Sequence, residues 1–357
     1  MNKQVEKIIR KADWTSPSNI AFIKYWGKCG NQLPSNPSLS MSLKNSTTRT
    51  IVSVIESRDK PAFQFFFEGF KESTFDKKID LFLKNAYNFF PSLQNKSLKI
   101  ESCNTFPHSA GIASSASAMS SLALCICEIA EEKSSNYLND AEFYRKASEL
   151  ARLGSGSASR SVYGGFSTWG KTSLLENSSD EWATFLDFDI HPVFSKLNDT
   201  ILIVSSEPKK ISSSEGHQLM NNHPYAKERF KLAHKNLECL LKAFQSGDTE
   251  EFIRVIENEA LGLHSLMMSS DPAFILVKPH TLEIINRIID FRKKTGLFLC
   301  FTLDAGPNVH LIYPDSIKSK ITDIINSELL AFCENRKVIW DEIGEGPVRF
   351  TSENVKI

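Results

Sequence analysis

The pattern of apolar and polar positions divides the chain into a strand-rich first half and a helix-rich second half. Residues 50–57 (TIVSVIES) and 62–68 (AFQFFFE) are rich in β-branched or aromatic side chains, and 97–102 fits a further strand. A helix is predicted over 76–90, and another over 114–130, where small residues come first and aliphatic ones later. Residues 139–153 form a cleaner helical stripe of Phe143, Ala147, Leu150 and Ala151. Asn139 or Asp140 is placed to cap it, and Gly154 stands where a C-terminal glycine belongs. Strands follow near 181–188 and 199–205. Asp248 with Glu251 resembles a capping box that opens a helix through Leu263, and Pro279 opens another bearing Leu282, Ile285, Ile288 and Ile289. Residues 298–303 and 309–313 read as two strands joined by the turn Asp304-Ala305-Gly306-Pro307-Asn308. The whole is α+β, and the softest boundary lies near residue 190. Two domains are therefore expected, 1–190 and 191–357.

Composition narrows the function. Of 357 residues, 42 are basic and 42 acidic, so the formal net charge is zero. A nucleic-acid-binding chain would carry a basic excess. No apolar run approaches the length of a membrane span, and the charged residues 1–11 lack the apolar stretch of a secretory signal. A cytoplasmic protein is expected. The seven cysteines are scattered. Cys125 and Cys127 fall on one predicted helix, pointing about 200° apart, which argues for reduced, packed thiols over a disulfide or zinc site.

Four segments carry candidate chemistry. In Pro107-His-Ser-Ala-Gly111-Ile112-Ala113-Ser114-Ser115-Ala-Ser117, tiny side chains lie between a strand and an apolar helix. A helix N-terminus offers free N–H groups to phosphate, small residues let phosphate approach the backbone, and serine hydroxyls suit phosphate or Mg²⁺. Close helix packing explains the same composition equally well. Gly154-Ser155-Gly156-Ser157-Ala-Ser159-Arg160-Ser161 pairs serines and exposed backbone with one guanidinium, as an oxyanion or carboxylate ligand requires; a flexible linker is the alternative. Lys24, Tyr25 and Lys28, in Ser18-Asn19-Ile-Ala-Phe-Ile-Lys24-Tyr25-Trp-Gly-Lys28, suit a diphosphate or are simply solvated. Asp304 is a turn former unless the other segments converge on it, when it becomes a candidate base.

Together these segments resemble the GHMP superfamily of small-molecule kinases. The loop at 107–117 looks like its phosphate-binding motif, with Ile112 in place of leucine. The stretches around Asn19–Lys28, Gly154–Ser161 with Gly164-Gly165, and Asp304–Asn308 resemble those of one family within it, the diphosphomevalonate decarboxylases. Weaker similarity runs through 33–43 and 204–216. Ser159 stands where that family usually has cysteine, Pro37 replaces a small polar residue, and His108-Ser109 replace Thr-Ala. The segment between Ser115 and Arg160 is longer than in the animal enzymes.

The resemblance implies a two-lobed GHMP-kinase fold with its active site in the cleft. The N-terminal lobe would resemble ribosomal protein S5 domain 2, and the C-terminal lobe would be ferredoxin-like. It implies ATP-dependent decarboxylation of (R)-5-diphosphomevalonate to isopentenyl diphosphate in the mevalonate pathway, with ATP and Mg²⁺ and a homodimeric enzyme. Asp304 would face the substrate's 3-hydroxyl, with Lys24 beside it. Arg160 would grip the carboxylate, oriented by Asn19. Ser155 and Ser157 would bind substrate oxygens, and Tyr25 and Lys28 the diphosphate. Gly111, Ile112, Ala113, Ser114 and Ser115 would hold ATP phosphates, with Ser115 near Mg²⁺, and Ser213 or Ser214 would contact phosphate. A phosphomevalonate decarboxylase, a mevalonate 3-kinase and a non-catalytic ligand-binding protein of the same fold are the rival readings.

Overall fold

Strands form where β-branched and aromatic residues cluster, but they extend further than composition alone indicates. The computed structural model describes residues 7–56, 62–107, 113–131, 140–207 and 213–351. In chain order its first half holds β1 (Ile8–Ile23), β2 (Lys28–Cys29), β3 (Leu33–Pro34), β4 (Ser38–Ile55), β5 (Phe63–Phe67), β6 (Phe70–Lys71), α1 (Asp76–Phe89), β7 (Ser97–Asn104), α2 (Ser114–Ala130), α3 (Ala141–Gly154), β8 (Phe166–Trp169) and β9 (Thr184–Phe185). The second half holds β10 (Leu197–Leu202), α4 (Ser213–Leu219), α5 (Ala226–Ser246), α6 (Thr249–Met268), α7 (Pro279–Thr295), β11 (Cys300–Thr302), β12 (Val309–Pro314), α8 (Lys318–Ile324), β13 (Val338–Glu342) and β14 (Val348–Arg349).

The predicted strand at 50–57 is the end of β4, which pairs antiparallel with β1 along most of its length. The run SLSMSL at its start alternates with period two. Leu39, Met41 and Leu43 enter one core, while the hydroxyls of Ser38, Ser40 and Ser42 hydrogen-bond with Arg160, Ser167 and the Gly344 carbonyl. Both faces are covered, so the hydroxyls must find partners, and they do. Pro17 lies inside β1, where it cannot donate to the ladder. The register slips between Pro17 and Asn19, a bulge that re-aims the residues beyond it.

The large sheet runs β14-β1-β4-β7-β5-β6, with β8 and β9 continuing from the other half of β4; β5 and β7 are its parallel pair. Helices α1, α2 and α3 cover one face over a core that includes Trp14, Phe82, Ile100, Leu124 and Phe143. A second, antiparallel sheet runs β11-β12-β10-β13 and packs on α7 and α8 through Ile285, Ile288, Phe301, Leu311 and Ile321. A third cluster joins Ile20, Phe22 and Met41 to Leu197, Ile201, Phe244 and Phe252, so the two lobes share apolar contacts. The final strand, β14, returns to the edge of β1.

Cap chemistry matches in part. Asp140 caps α3, accepting from the Glu142 and Phe143 N–H groups at 3.0 and 3.1 Å. Asp248 caps α6 through the Glu251 N–H at 2.9 Å, but Glu251 turns its carboxylate to Arg254, so the capping box is only half formed. Gly154 is not a left-handed cap. A Cβ there would stand 2.7 Å from Met119 Sδ and 2.8 Å from Phe82, so the glycine lets three helices meet. The strand expected at 181–188 reduces to two residues, Thr184–Phe185. Cys125 and Cys127 are buried and unbridged. No helix among the described residues is long and apolar enough to cross a membrane.

Candidate active site

The segments singled out in the sequence meet in one cavity of about 370 Å³, lined by Asn19, Lys24, Tyr25, Lys28, Ala113, Ser115, Ser155, Ser157, Arg160 and Asp304 among others. They arrive from the end of β1, the start of α2, the turn after α3 and the β11–β12 turn. Ser114 lines an adjoining, mainly apolar cavity that shares Ser115 and Lys78 with the first. Gly111 and Ile112 lie outside the described residues, as do the side chains of Ser213 and Ser214 in α4.

At the centre, Lys24 Nζ donates to Asp304 Oδ1 at 3.0 Å. Lys24 is 1% exposed, and burial lowers its pKa below 10.5 although Asp304 pulls the other way. Both ends of the pair are anchored by α6. Glu259, fully buried, accepts the Lys24 backbone N–H at 2.8 Å while Arg229 grips it through two nitrogens and Asn236 donates at 2.7 Å. Five residues on, His264 Nε2–H donates to the Asp304 carbonyl at 3.0 Å. Asn36 holds the Lys24 carbonyl at 3.1 Å.

Arg160 faces this pair from a turn of 3₁₀ helix. Its Nη1 donates to Ser38 Oγ at 2.5 Å, and its buried Nε has no hydrogen-bond partner among the described residues. The Nε–Nη2 edge is therefore the one left for a planar anion. Burial pulls its pKa from 12.5 to about 10, opposed by Asp304, so the group stays cationic at neutral pH. Asn19 was expected to orient this guanidinium. It instead donates to Ser161 Oγ at 2.7 Å and Ser157 O at 3.2 Å, and the bulge after Pro17 aims it at that loop. Ser38 does the orienting.

Ser115 Oγ and Ser155 Oγ are 3.2 Å apart, joining the helix start to the serine loop. Ala113, just before α2, sits in the left-handed region at φ 41°, and among the described residues no side chain caps the helix. Such strain in a residue with a Cβ is typical of binding loops. Tyr25 packs edge-on against Trp169, and burial raises the pKa of its hydroxyl. That hydroxyl is buried without a hydrogen-bond partner among the described residues. Lys28 reaches Gln32 at 3.1 Å, and burial lowers its pKa. Lys78 and His217 also line the cavity, and neither was singled out in the sequence.

Two lobes that close a cationic cleft on an uncapped, small-residue helix start define a GHMP-type fold built to act on a phosphorylated small molecule. Residues 16–180 match the family model for the diphosphomevalonate decarboxylase-like N-terminal domain, and 200–351 match that for the mevalonate 5-diphosphate decarboxylase C-terminal domain. The chain belongs to the diphosphomevalonate decarboxylase family. It is 28% identical over 341 residues to the diphosphomevalonate decarboxylase of Aspergillus fumigatus, covering 91% of this chain and 82% of that one. With the Saccharomyces cerevisiae enzyme it shares 29% over 326 residues, 87% and 79% of the two chains. The crystal structure of mevalonate diphosphate decarboxylase from Staphylococcus aureus superposes with a TM-score of 0.82 at 28% identity, over 96% of this chain and 98% of that one. A structure described as MDDEF in complex with MVAPP, AMPPCP and magnesium gives 0.80 at 26%, over 96% and 99%.

Proposed function

We infer that this chain catalyses the ATP-dependent decarboxylation of (R)-5-diphosphomevalonate to isopentenyl diphosphate, releasing ADP, phosphate and CO₂. The observation that carries the reading is the Lys24–Asp304 pair at 3.0 Å in the same cavity as the partnerless edge of Arg160 and the Ser115 hydroxyl. The substrate's tertiary hydroxyl is a poor leaving group, so it is first phosphorylated. Asp304 orients the 3-hydroxyl and accepts its proton as the oxygen attacks the γ-phosphorus and ADP leaves. Lys24 neutralises charge on the transferring oxygens. The C3–O bond then breaks with its electron pair leaving on phosphate. The C1–C2 pair becomes the C2–C3 double bond as CO₂ departs. Arg160 holds the carboxylate in line with that bond, and Tyr25, Lys28, Ser155 and Ser157 bind the remaining substrate oxygens.

The donors fit ATP and Mg²⁺. Among the described residues no group of three His, Cys, Asp or Glu side chains gathers to hold a metal. Mg²⁺ would then be held mainly through ATP phosphate oxygens, with the Ser115 hydroxyl as the protein's hard ligand; when bound it neutralises phosphate charge. The adjoining cavity of about 270 Å³, walled by Phe65, Phe67, Phe75, Ile79, Met119 and Leu122, suits a purine ring, because it is apolar and opens onto Ser115. The same reading sets the lobe division near residue 190, supported by the gap between the two matched family domains.

The test is CO₂ release on incubation with ATP and each of mevalonate, its 5-phosphate and its 5-diphosphate. CO₂ and ADP in equal amounts from the 5-diphosphate alone is the expected result. ADP without CO₂ would make the protein a 3-kinase, and CO₂ from the 5-phosphate a phosphomevalonate decarboxylase.

A further inference from the structure

His217 is 7% exposed and lies in α4, between the rings of Tyr25 and Trp26, whose centroids stand 4.3 and 4.7 Å away. The two ring contacts, tilted at 38° and 36°, hold the imidazole in place. Its Nδ1 accepts the Gly27 backbone N–H at 3.0 Å. A nitrogen that accepts carries no proton, so the neutral ring is protonated on Nε2. Among the described residues Nε2 has no hydrogen-bond partner, and the residue lines the same cavity as Lys28 and Arg160. An aromatic filler would complete the Tyr25–Trp26 cluster equally well, whereas an imidazole brings an N–H donor to the cavity wall.

We propose that His217 is a substrate-binding residue, a neutral imidazole whose Nε2–H donates to the diphosphate end of the substrate beside Lys28. The choice of end follows from the anchor: the ring is tied to Gly27, the residue next to Lys28. The charged and titratable groups facing it are Lys28, Arg160 and Tyr25. Burial and the two cations together hold its pKa down to about 3. It therefore stays a fixed-tautomer donor throughout the neutral range, and it adds an N–H to the anion site without adding charge. The Tyr25 hydroxyl, buried without a hydrogen-bond partner among the described residues, makes a second neutral donor on the ring tilted against it. The proposal rests on the diphosphomevalonate reading for the identity of the anion, while the tautomer does not depend on it.

Two variants separate donor from filler. His217→Asn keeps an acceptor near the δ position for Gly27 and removes the ε donor; His217→Gln keeps an N–H near the ε position. Binding of mevalonate 5-diphosphate, measured calorimetrically without ATP, is expected to weaken about tenfold or more in His217→Asn. It should stay within about threefold of the parent in His217→Gln, with ATP binding unchanged in both. In the parent protein, ¹⁵N NMR is expected to report an Nε2-protonated neutral ring from pH 5 to 8. Its Nε2 resonance should shift on adding mevalonate 5-diphosphate and not on adding mevalonate. Undiminished binding by folded His217→Asn would overturn the proposal. So would an Nδ1-protonated or cationic ring, a reading that needs no variant to fold. If the parent releases no CO₂ from the 5-diphosphate, the assigned reaction fails instead, a result distinct from either.

Discussion

Arg160→Lys isolates the contribution of a planar fork at constant charge. The guanidinium spends Nη1 on Ser38 at 2.5 Å and leaves Nε without a partner among the described residues. A lysine ammonium has one nitrogen. If it reaches the substrate carboxylate it abandons Ser38 or forgoes the second ligand bond, and its shorter reach from a buried turn makes both losses the expected outcome. Each charge-assisted hydrogen bond contributes about 1.5–3 kcal/mol. Two of them amount to about 3–6 kcal/mol, or roughly 10²- to 10⁴-fold in kcat/KM at about 1.4 kcal/mol per decade. The assay is CO₂ release with saturating ATP and varied 5-diphosphomevalonate, with ADP followed in parallel. A loss smaller than tenfold would refute carboxylate recognition by this residue. Ser38→Ala sharpens the test. In the parent it leaves Nη1 unpaired and costs about 1–3 kcal/mol of transition-state binding; in the Arg160→Lys background it should cost much less. Simple additivity of the two changes would mean that Ser38 does not act through Arg160.

Asp304→Asn keeps the shape and removes the proton acceptor; turnover should fall by roughly 10³ or more with nearly unchanged ATP affinity, and turnover within tenfold of the parent would remove Asp304 from the reaction. Glu259→Gln strands the buried Arg229 guanidinium and should lower unfolding stability by about 3–5 kcal/mol in urea titrations. Burial lowers the Lys24 pKa below 10.5, so the alkaline limb of kcat should lie below 10.5. Between the folded value and 10.5 the unfolded chain binds more protons, so this group makes stability rise with pH across the window where activity falls. An alkaline limb at or above 10.5 would contradict the burial of that ammonium. Gly156→Ala would put a Cβ 2.7 Å from Tyr25 Oη, and it should raise KM for the 5-diphosphate at little cost to ATP binding in a direct titration.

The charged groups of the cavity were legible because each stands in a short, compositionally odd segment. Asp304 lies before Gly-Pro, Arg160 among serines and Lys24 at a strand end. The groups that hold them were not, because they sit inside regular helices. Yet a signal was present. Val255, Ile256, Glu259, Ala260 and Leu263 are all buried on one stripe of α6, and Ala226, Arg229, Ala233, Asn236 and Leu237 on one stripe of α5. A charge on an apolar stripe requires a partner, and these two are each other's. Ser38 was hidden differently. Its run SLSMSL has the period of a strand, but a serine facing inward is informative only once its partner across the sheet is known. Asn19 marks the limit of motif reading. The residue was found, but its hydrogen bonds depend on a bulge that no local pattern announces. The helix boundaries at 114–130 survived intact because a run of small then aliphatic residues has one stable use against a sheet, whereas Gly154 read as a cap when its function is clearance.

The last strand changes how the molecule comes into being. Val348 and Arg349 complete the edge of β1, Arg349 grips Glu128 of α2 at 2.6 Å, and Asp341 caps the Asn45 and Ser46 N–H groups of β4 at 2.8 Å. On the ribosome, then, the lobe made first is the lobe finished last. Until residues 341–349 emerge, β1 presents an open edge and the helix whose start lines the cavity lacks its far anchor. A nick between these residues and the rest would act on the cleft from the opposite end of the lobe, loosening the strand that leads into Lys24 without touching any group that lines the cavity.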